Sequence, residues 1–233
     1  MIESVTLFYM TFVMDAWVKL RWTGWKNLYQ YETVYLDQGY QFIAGCDEVG
    51  RGPLAGPVVA AAVILNPRDH IEGLNDSKKL SEAKRNALAL AIKSRALSYA
   101  VAYVTPEEID EINIYQASRK AMLMALDTLS IAPDVVLSDA MPLPSLSIRV
   151  ESIIKGDSKS ATIAAASILA KVERDQYMVD MSNVYPNYGF ERHKGYPTKQ
   201  HLKALTTYGV TPIHRKTYKP VRDILEQQMQ LNL

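Results

Sequence analysis

The chain has 233 residues, 48% of them hydrophobic and 22% charged, a composition typical of a soluble globular protein that can bury a proper core. Its net charge of +1 does not by itself indicate a partner. The single cysteine, Cys46, excludes an internal disulfide and a cysteine-rich zinc site, and it fits a reducing cytoplasm.

The first 30 residues are interpreted as an N-terminal extension of unknown role, and residues 31–233 as one domain that includes the C-terminal helices. Within the extension, the apolar stretch from Val5 to Met14 is too short to span a bilayer. It also lacks the basic region and the cleavage site of a signal peptide. We therefore expect a cytoplasmic protein without membrane association.

Strands and helices are interspersed along the rest of the chain. Strands are predicted at residues 42–47, 57–65, 97–104, 135–139 and 149–154. Helices are predicted at residues 81–97, from residue 105 onward, and at 115–129, 160–181, 198–208 and 220–229. Because the first strands are hairpin-like and helices follow between the others, the pattern indicates an α/β domain with a mixed sheet.

The most informative stretch is the hexapeptide DEVGRG at residues 47–52, which directly follows an apolar run. Neighbouring strand residues face opposite sides, so one of Asp47 and Glu48 points into the core, where a lone carboxylate requires a compensating cation or proton. Gly50 and Gly52 allow close approach of a ligand to the backbone, and Arg51 supplies a planar cation suited to phosphate. Together they indicate metal-assisted chemistry on a phosphate ester.

Two further acidic residues lie at the ends of predicted elements, one at the end of a strand and one in a turn before a helix. Asp139 ends an apolar run, and Asp157 lies in the turn before the long alanine-rich helix. Ligand sites of open α/β sheets collect at such strand ends, and carboxylates without cysteine or paired histidine ligands favour Mg²⁺ or Mn²⁺ over zinc. Such a cluster can hold two ions. The alternative for Asp157 is a turn or helix cap, whereas Asp139 is a weaker cap candidate.

Positive charge is concentrated near the C-terminus. Residues 191–222 carry eight Lys/Arg against one acid, a net charge of +7, which leaves −6 for the remainder and favours a polyanionic partner. Tyr196 lies among basic residues and glycines in the segment 189–197, as expected where a ring stacks on a sugar or base, although core packing is an open alternative. The basic cluster 214–216 is interpreted as contacting a nucleic-acid backbone.

Further cations are candidates for phosphate contacts. Lys78 and Lys79 lie in a turn before a helix, a position suited to a phosphate, although lysine pairs are common on surfaces. Lys171 and Arg174 share one face of the long helix, where a solvated surface is an equally good interpretation. For Asp175, on the same helix, we expect a surface ion pair.

In combination these motifs resemble the type-2 ribonuclease H family, ribonuclease HII. The resemblance covers about residues 31–222, in family order. It is carried by IAGCDEVGRGPLAGP at 43–57, NDSKKLS at 75–81, DAM at 139–141, IKGDS at 154–158, AAASILAKV at 164–172, HKGY at 193–196 and PIHR at 212–215.

The resemblance implies a ribonuclease-H-like fold, with a mixed five-stranded sheet flanked by helices and a C-terminal helical segment. It implies endonucleolytic cleavage of RNA hybridised to DNA and incision beside single ribonucleotides in duplex DNA, leaving 5′-phosphate and 3′-hydroxyl ends. It also implies two Mn²⁺ or Mg²⁺ ions. We further expect the protein to be a monomer.

The same resemblance assigns roles to residues. The segment 50–52 resembles the loop that senses the ribose 2′-hydroxyl, and Tyr196 resembles the tyrosine that stacks on the neighbouring deoxyribose. The lysines at 78, 79 and 171 are expected to contact substrate. The four metal-binding, catalytic carboxylates are expected to be Asp47, Glu48, Asp139 and Asp157.

Departures from the family pattern are modest, with Tyr218 standing where phenylalanine is more common. Type-3 ribonuclease H is disfavoured because residues 1–40 hold only three basic residues and leave no room for its basic N-terminal domain. Two other interpretations stay open. One is a non-enzymatic nucleic-acid-binding module that uses the segment 191–222, and the other is an integrase-like phosphoryl transferase acting on DNA alone.

Overall fold

The computed structural model describes residues 28–231, and its centre is a five-stranded mixed sheet. The spatial order of the strands is β3-β2-β1-β4-β5. β1 pairs antiparallel with β2, and β2 with β3, whereas β4 runs parallel to both β1 and β5. This confirms the predicted mixed α/β fold. The strands are β1 Ile43–Val49, β2 Val58–Ile64, β3 Ser98–Val104, β4 Val135–Asp139 and β5 Arg149–Ile153.

Helices cover both faces of the sheet. Those that were predicted lie close to their expected positions, whereas the helices Gln30–Asp37 and Phe190–His193 were not predicted. The long alanine-rich helix ends at Val184, three residues beyond its predicted end, because its apolar face continues under the C-terminal segment. Two short 3₁₀ turns, Ser77–Lys79 and Gly156–Ser158, precede helices. The helices are α1 Gln30–Asp37, α2 Glu82–Arg95, α3 Pro106–Ile112, α4 Ile114–Asp127, α5 Ala161–Val184, α6 Phe190–His193, α7 Lys199–Tyr208 and α8 Lys219–Leu231.

The all-apolar sequence of β2 reflects burial on both of its faces. Ala60 and Ala62 face the core formed with α4, whereas Val59 and Ala61 face the core formed with α2 and α5. Small residues on β1, β2 and α5 let the long helix approach the sheet closely, above all at Gly45 in β1. This close contact fixes the height of α5 above the end of β1.

A third apolar cluster joins the C-terminal half of α5 to α6, α7 and α8. Leu54 and Ala55, from the loop between β1 and β2, belong to this cluster as well. The C-terminal helices therefore hold the loop that follows the DEVGRG hexapeptide.

Helix α1 packs against the sheet through Tyr35, which lies in an apolar cluster with Ile43 and Val135. The extension predicted for residues 1–30 lies, apart from residues 28–30, outside the described part of the chain. Between residues 28 and 231, none of the helices has the length and apolar character needed to cross a bilayer.

Candidate active site

Three carboxylates meet at the edge of the sheet where the parallel strands β1 and β4 end. Asp47 lies near the end of β1, Asp139 is the last residue of β4, and Asp157 lies in the 3₁₀ turn before α5. One carboxylate oxygen from each of the three residues lies within 4.8 Å of the other two. Folding therefore brings together side chains that are up to 110 positions apart in the sequence.

Glu48 lies beside this group, although it does not belong to the set within 4.8 Å. Its Oε1 accepts a hydrogen bond from Arg51 Nη1 at 3.3 Å, and its side chain is only 10% exposed. Oε2 is buried and has no hydrogen-bond partner among the described residues. A buried oxygen of this kind is costly unless a ligand completes it, so Glu48 is available to a cation.

The pKa values of Asp47, Glu48 and Asp157 are raised, and the first cause in each case is burial. For Asp47 the neighbouring charges of Glu48 and Asp139 raise the pKa further, well above its usual value, while a hydrogen bond from Ser167 opposes the rise. Burial raises the pKa of Glu48 to about 7 in spite of the nearby Arg51 guanidinium. Burial together with Asp76 and Asp139 raises the pKa of Asp157.

Raised pKa values and an orphaned oxygen show that this cluster carries more negative charge than its surroundings neutralise. Every donor is a carboxylate oxygen, and no cysteine or histidine belongs to the group. Hard divalent cations such as Mg²⁺ and Mn²⁺ prefer this donor set. The residues therefore fit the ions that the sequence predicts.

The backbone around Asp139 holds its carboxylate in place. Gly156 donates its N–H to Asp139 Oδ1 at 2.7 Å, which ties the end of β4 to the turn that carries Asp157. Ala140 and Lys155 both adopt the left-handed conformation, with φ of 52° and 57°. A non-glycine residue in this region costs about 1 kcal/mol, so two such residues beside the carboxylates indicate a backbone shaped for the site.

Tyr196 lies over the last residue of the hexapeptide, Gly52. A Cβ atom on Gly52 would lie 3.5 Å from Cε1 of the Tyr196 ring. The tyrosine is 41% exposed, so the alternative that it is an ordinary core residue is wrong. The segment 50–52 and Tyr196 thus form one surface, as expected for residues that contact two neighbouring sugars.

The predicted lysines have different surroundings. Lys78 and Lys79 are exposed in the 3₁₀ turn, whose Ser77 Oγ lies 2.9 Å from Ser167 Oγ on α5. Lys171 forms an ion pair with Asp175 at 2.6 Å, which confirms the ion pair expected for that aspartate, although the pair is half-buried and not on the open surface. The contact of these lysines with substrate stays a prediction.

Two arginines differ from their predicted surroundings. Arg174 and Arg215 are both 0% exposed, and each donates hydrogen bonds to backbone carbonyls. The solvated or phosphate-facing interpretation of Arg174 is therefore wrong, as is the interpretation of Arg215 as a nucleic-acid contact. His214 is buried as well. The sequence predicted correctly that Arg174 lies on a helix and Arg215 in a loop. Their burial could not be predicted, because it depends on residues far away in the chain.

Sequence reasoning also missed Ser77, Ser167 and Glu32. Ser167 hydrogen-bonds to Asp47 and Ser77. Its spacing in the sequence indicated only that it shares a helix face with Lys171 and Arg174. Glu32, on α1, is only 5% exposed and lies against the start of α5. Its Oε1 accepts a hydrogen bond from the backbone N–H of Thr162 at 2.8 Å. The available signals were the positions of Ser77 and Ser167 inside the motifs 75–81 and 164–172.

Residues 44–221 match the family model described as Ribonuclease HII. The chain is similar to the Ribonuclease HII of Bacillus cytotoxicus, with 56% identity over 200 residues that cover 86% of this chain and 77% of the relative. It is 52% identical to the Ribonuclease HII of Halalkalibacterium halodurans over 205 residues, covering 88% and 78% of the two chains. The fold is similar to the crystal structure of the ribonuclease H2 from Pyrococcus horikoshii OT3, with a TM-score of 0.70, 29% identity and coverage of 82% and 100%.

Proposed function

Since the chain belongs to the ribonuclease HII family and is a metal-dependent endoribonuclease, we propose that it hydrolyses RNA in RNA/DNA hybrids and incises at ribonucleotides embedded in duplex DNA. The observation that carries the proposal is the convergence of Asp47, Asp139 and Asp157 beside Glu48. The family match over most of the chain supports type 2 rather than type 3.

We propose that Asp47, Glu48, Asp139 and Asp157 hold two Mg²⁺ or Mn²⁺ ions. Divalent ions bound there would supply a water of lowered pKa and would neutralise charge on the phosphate and on the leaving oxygen. The raised pKa values of Asp47 and Glu48 support this role, because the carboxylates gain most from a cation where burial and mutual repulsion disfavour their charged form. The products are a 5′-phosphate and a 3′-hydroxyl.

The protein's own residues position the substrate. The backbone of 50–52 would contact the ribose 2′-hydroxyl, since the glycine at position 52 leaves the chain open to close approach. The Tyr196 ring, which lies over Gly52, would stack on the neighbouring deoxyribose. Exposed Lys78 and Lys79 and the half-buried Lys171 would hold the phosphates.

The proposal includes a cytoplasmic location and action as a monomer. The chain has a single cysteine, Cys46, and cannot form an internal disulfide, which supports a reducing compartment.

The test uses three labelled duplexes of the same sequence: one with a single ribonucleotide, one RNA/DNA hybrid and one of DNA alone. Each is incubated with the full chain in Mg²⁺, in Mn²⁺ and in EDTA, and the product ends are mapped. The proposal expects metal-dependent cleavage of the first two duplexes only. Cleavage of the all-DNA duplex would favour the integrase-like alternative, and salt-sensitive binding without any cleavage would favour the binding module.

A further inference from the structure

The loop at residues 50–57, here called the glycine loop, connects β1 to β2. Apart from an isolated bridge at Ala55, its carbonyl groups are not hydrogen-bonded to a neighbouring strand in the described part of the chain. Arg215, at the start of the C-terminal segment, donates to several of them. Its Nη2 donates to Gly50 O at 2.6 Å, Nη1 to Arg51 O at 3.0 Å, and Nε to Gly56 O at 3.0 Å. One guanidinium thereby fixes both ends of the glycine loop.

Arg174, on α5, holds the same loop from the other side. Its Nη2 donates to Ala55 O and its Nε to Pro57 O, each at 3.0 Å. Its Nη1 donates to Lys194 O at 3.1 Å, two residues before Tyr196 in the sequence. Arg174 therefore connects the glycine loop to the segment that carries Tyr196.

Direct backbone bonds complete the connection. Leu54 donates its N–H to Gly195 O at 2.8 Å, and Gly56 donates its N–H to Ile213 O at 2.8 Å. The glycine loop, the Tyr196 segment and the residues around Arg215 thus form one hydrogen-bonded unit with two guanidinium groups at its centre.

These arginines are costly for stability alone. Both are 0% exposed, and among the described residues neither has a carboxylate within salt-bridge distance. Burial, with the like charge of Arg215 nearby, lowers the pKa of Arg174 to about 10. Apolar residues of similar volume often stabilise a protein better than buried charges do. Two buried arginines without a carboxylate partner are therefore better explained by the backbone carbonyl groups that they hold in position.

We propose that Arg174 and Arg215 are positioning residues that hold the glycine loop against Tyr196, and so set recognition of the sugars at an RNA–DNA junction. Neither residue touches substrate; both act through the backbone of residues 50–57 and of Lys194. The assignment to sugar recognition rests on the proposed function. The mechanical part of the proposal, that the two arginines hold the glycine loop in place, concerns the substrate-free protein.

Tyr218 offers a mild way to disturb this unit. Its hydroxyl donates to Arg51 O at 2.6 Å and accepts from Arg215 Nη1 at 3.0 Å, while its ring lies 5.1 Å from the guanidinium carbon. Tyr218→Phe keeps the ring and removes only these two hydrogen bonds. The hydroxyl is therefore a second hydrogen-bond donor to the Arg51 carbonyl, beside Arg215.

The experiment compares the full-length wild type with Arg215→Lys, Arg174→Lys, Tyr218→Phe and the control Arg68→Lys, which changes an exposed arginine in the turn after β2. Hydrogen exchange of the Leu54 and Gly56 amides is measured without substrate, with amides of α4 as internal reference. KM and kcat are measured on a duplex with one ribonucleotide.

We expect the two arginine variants to exchange the Leu54 and Gly56 amides at least about tenfold faster, and to raise KM about tenfold or more with a smaller change in kcat. Tyr218→Phe should shift both quantities about two- to fivefold, and Arg68→Lys neither. Loop exchange within twofold of wild type in folded arginine variants overturns the proposal.

If the arginine variants do not fold, Tyr218→Phe decides: unchanged exchange and KM overturn the proposal, and faster loop exchange with raised KM supports it. If the wild type cleaves none of the duplexes, the proposed function fails while the exchange data still test the mechanical part. Faster loop exchange with an unchanged KM would overturn the link to sugar recognition.

Discussion

A Cβ atom on Gly45 would lie 2.2 Å from the carbonyl carbon of Thr162, so β1 and α5 contact each other backbone to backbone. Two residues further along β1 is Asp47, and five residues further along α5 is Ser167, which hydrogen-bonds to Asp47. The contact at Gly45 therefore determines how the strand that carries Asp47 meets the helix that supports it.

Gly45→Ala should destabilise the protein by about 3 kcal/mol or prevent folding, because the backbone of α5 cannot move away as a flexible side chain can. Gly52→Ala is the matched control, since its Cβ would make an ordinary contact with the Tyr196 ring. We expect that variant to lose less than about 1 kcal/mol. Urea denaturation measures both, and equal stability of the two variants would contradict the backbone contact.

Removal of the Glu32 carboxylate should also destabilise the protein. Its Oε1 accepts hydrogen bonds from Ser160 Oγ at 2.6 Å and from the N–H and hydroxyl of Thr162, all of them buried at the start of α5. Glu32→Ala leaves these donors unpaired and should cost about 3 kcal/mol, with a smaller loss for Glu32→Gln. Glu82→Ala, at an exposed position in α2, is the control. A loss as small as that of the control would refute the buried cap.

The histidines of the C-terminal segment should make stability depend on pH. His201 Nε2 lies 3.0 Å from His214 Nε2, and burial lowers their pKa values to about 4 and about 3. In the unfolded chain a histidine protonates near pH 6.5, so stability is full above that pH and falls as the pH decreases toward 4. Each histidine should contribute about 2 kcal/mol of loss between pH 7 and 5.

Denaturation of His201→Gln at pH 7 and pH 5 checks this directly. The variant should lose about 2 kcal/mol less than the wild type over this interval. An equally steep decrease in His201→Gln would show that the buried histidines do not cause the pH dependence.

Metal removal should reverse the order of stability between the wild type and Asp47→Asn. Burial and neighbouring carboxylates raise the pKa of Asp47, so its charge destabilises the metal-free fold at neutral pH, and this penalty disappears as the pH falls toward the usual aspartate range. In EDTA at pH 8 the variant should melt higher than the wild type. With Mn²⁺ the wild type should gain several degrees and the variant less.

The control for this experiment is Asp127→Asn, at the exposed end of α4, which should follow the wild type under both conditions. A wild type whose melting temperature does not respond to Mn²⁺ or Mg²⁺ would contradict the cation site.

Local patterns in the sequence were enough to predict most of the fold. The unbroken apolar run of β2 and the Ser81 and Thr105 caps gave strands and helices close to their observed positions. Asp47 and Asp139 lie close together because the parallel strands β1 and β4 end at the same edge of the sheet. That these strands pair in parallel could be inferred only from the resemblance to a family. Asp157 needed the Gly156 bond to Asp139, which the sequence does not show.

The buried cations could not be predicted from local patterns. Arg215 looked like part of a basic surface because nearby residues are charged, yet its partners at Gly50 and Gly56 are about 160 positions away. Arg174 has the same explanation, with Ala55 and Pro57 as its partners. A cluster of charged residues in a sequence indicates what kind of partner a surface would attract. Whether one of those residues is buried depends on which distant carbonyl groups need a hydrogen-bond donor.

The most direct test of the catalytic role proposed for the carboxylate cluster compares wild type with Asp139→Asn on a labelled duplex that contains one ribonucleotide, in the presence of Mn²⁺. Binding is measured on the same duplex in parallel. We expect Asp139→Asn to bind the duplex within a fewfold of wild type and to cleave it at least about a hundredfold more slowly. Incision by the variant at the wild-type rate would contradict the assignment of the carboxylate cluster as the catalytic centre.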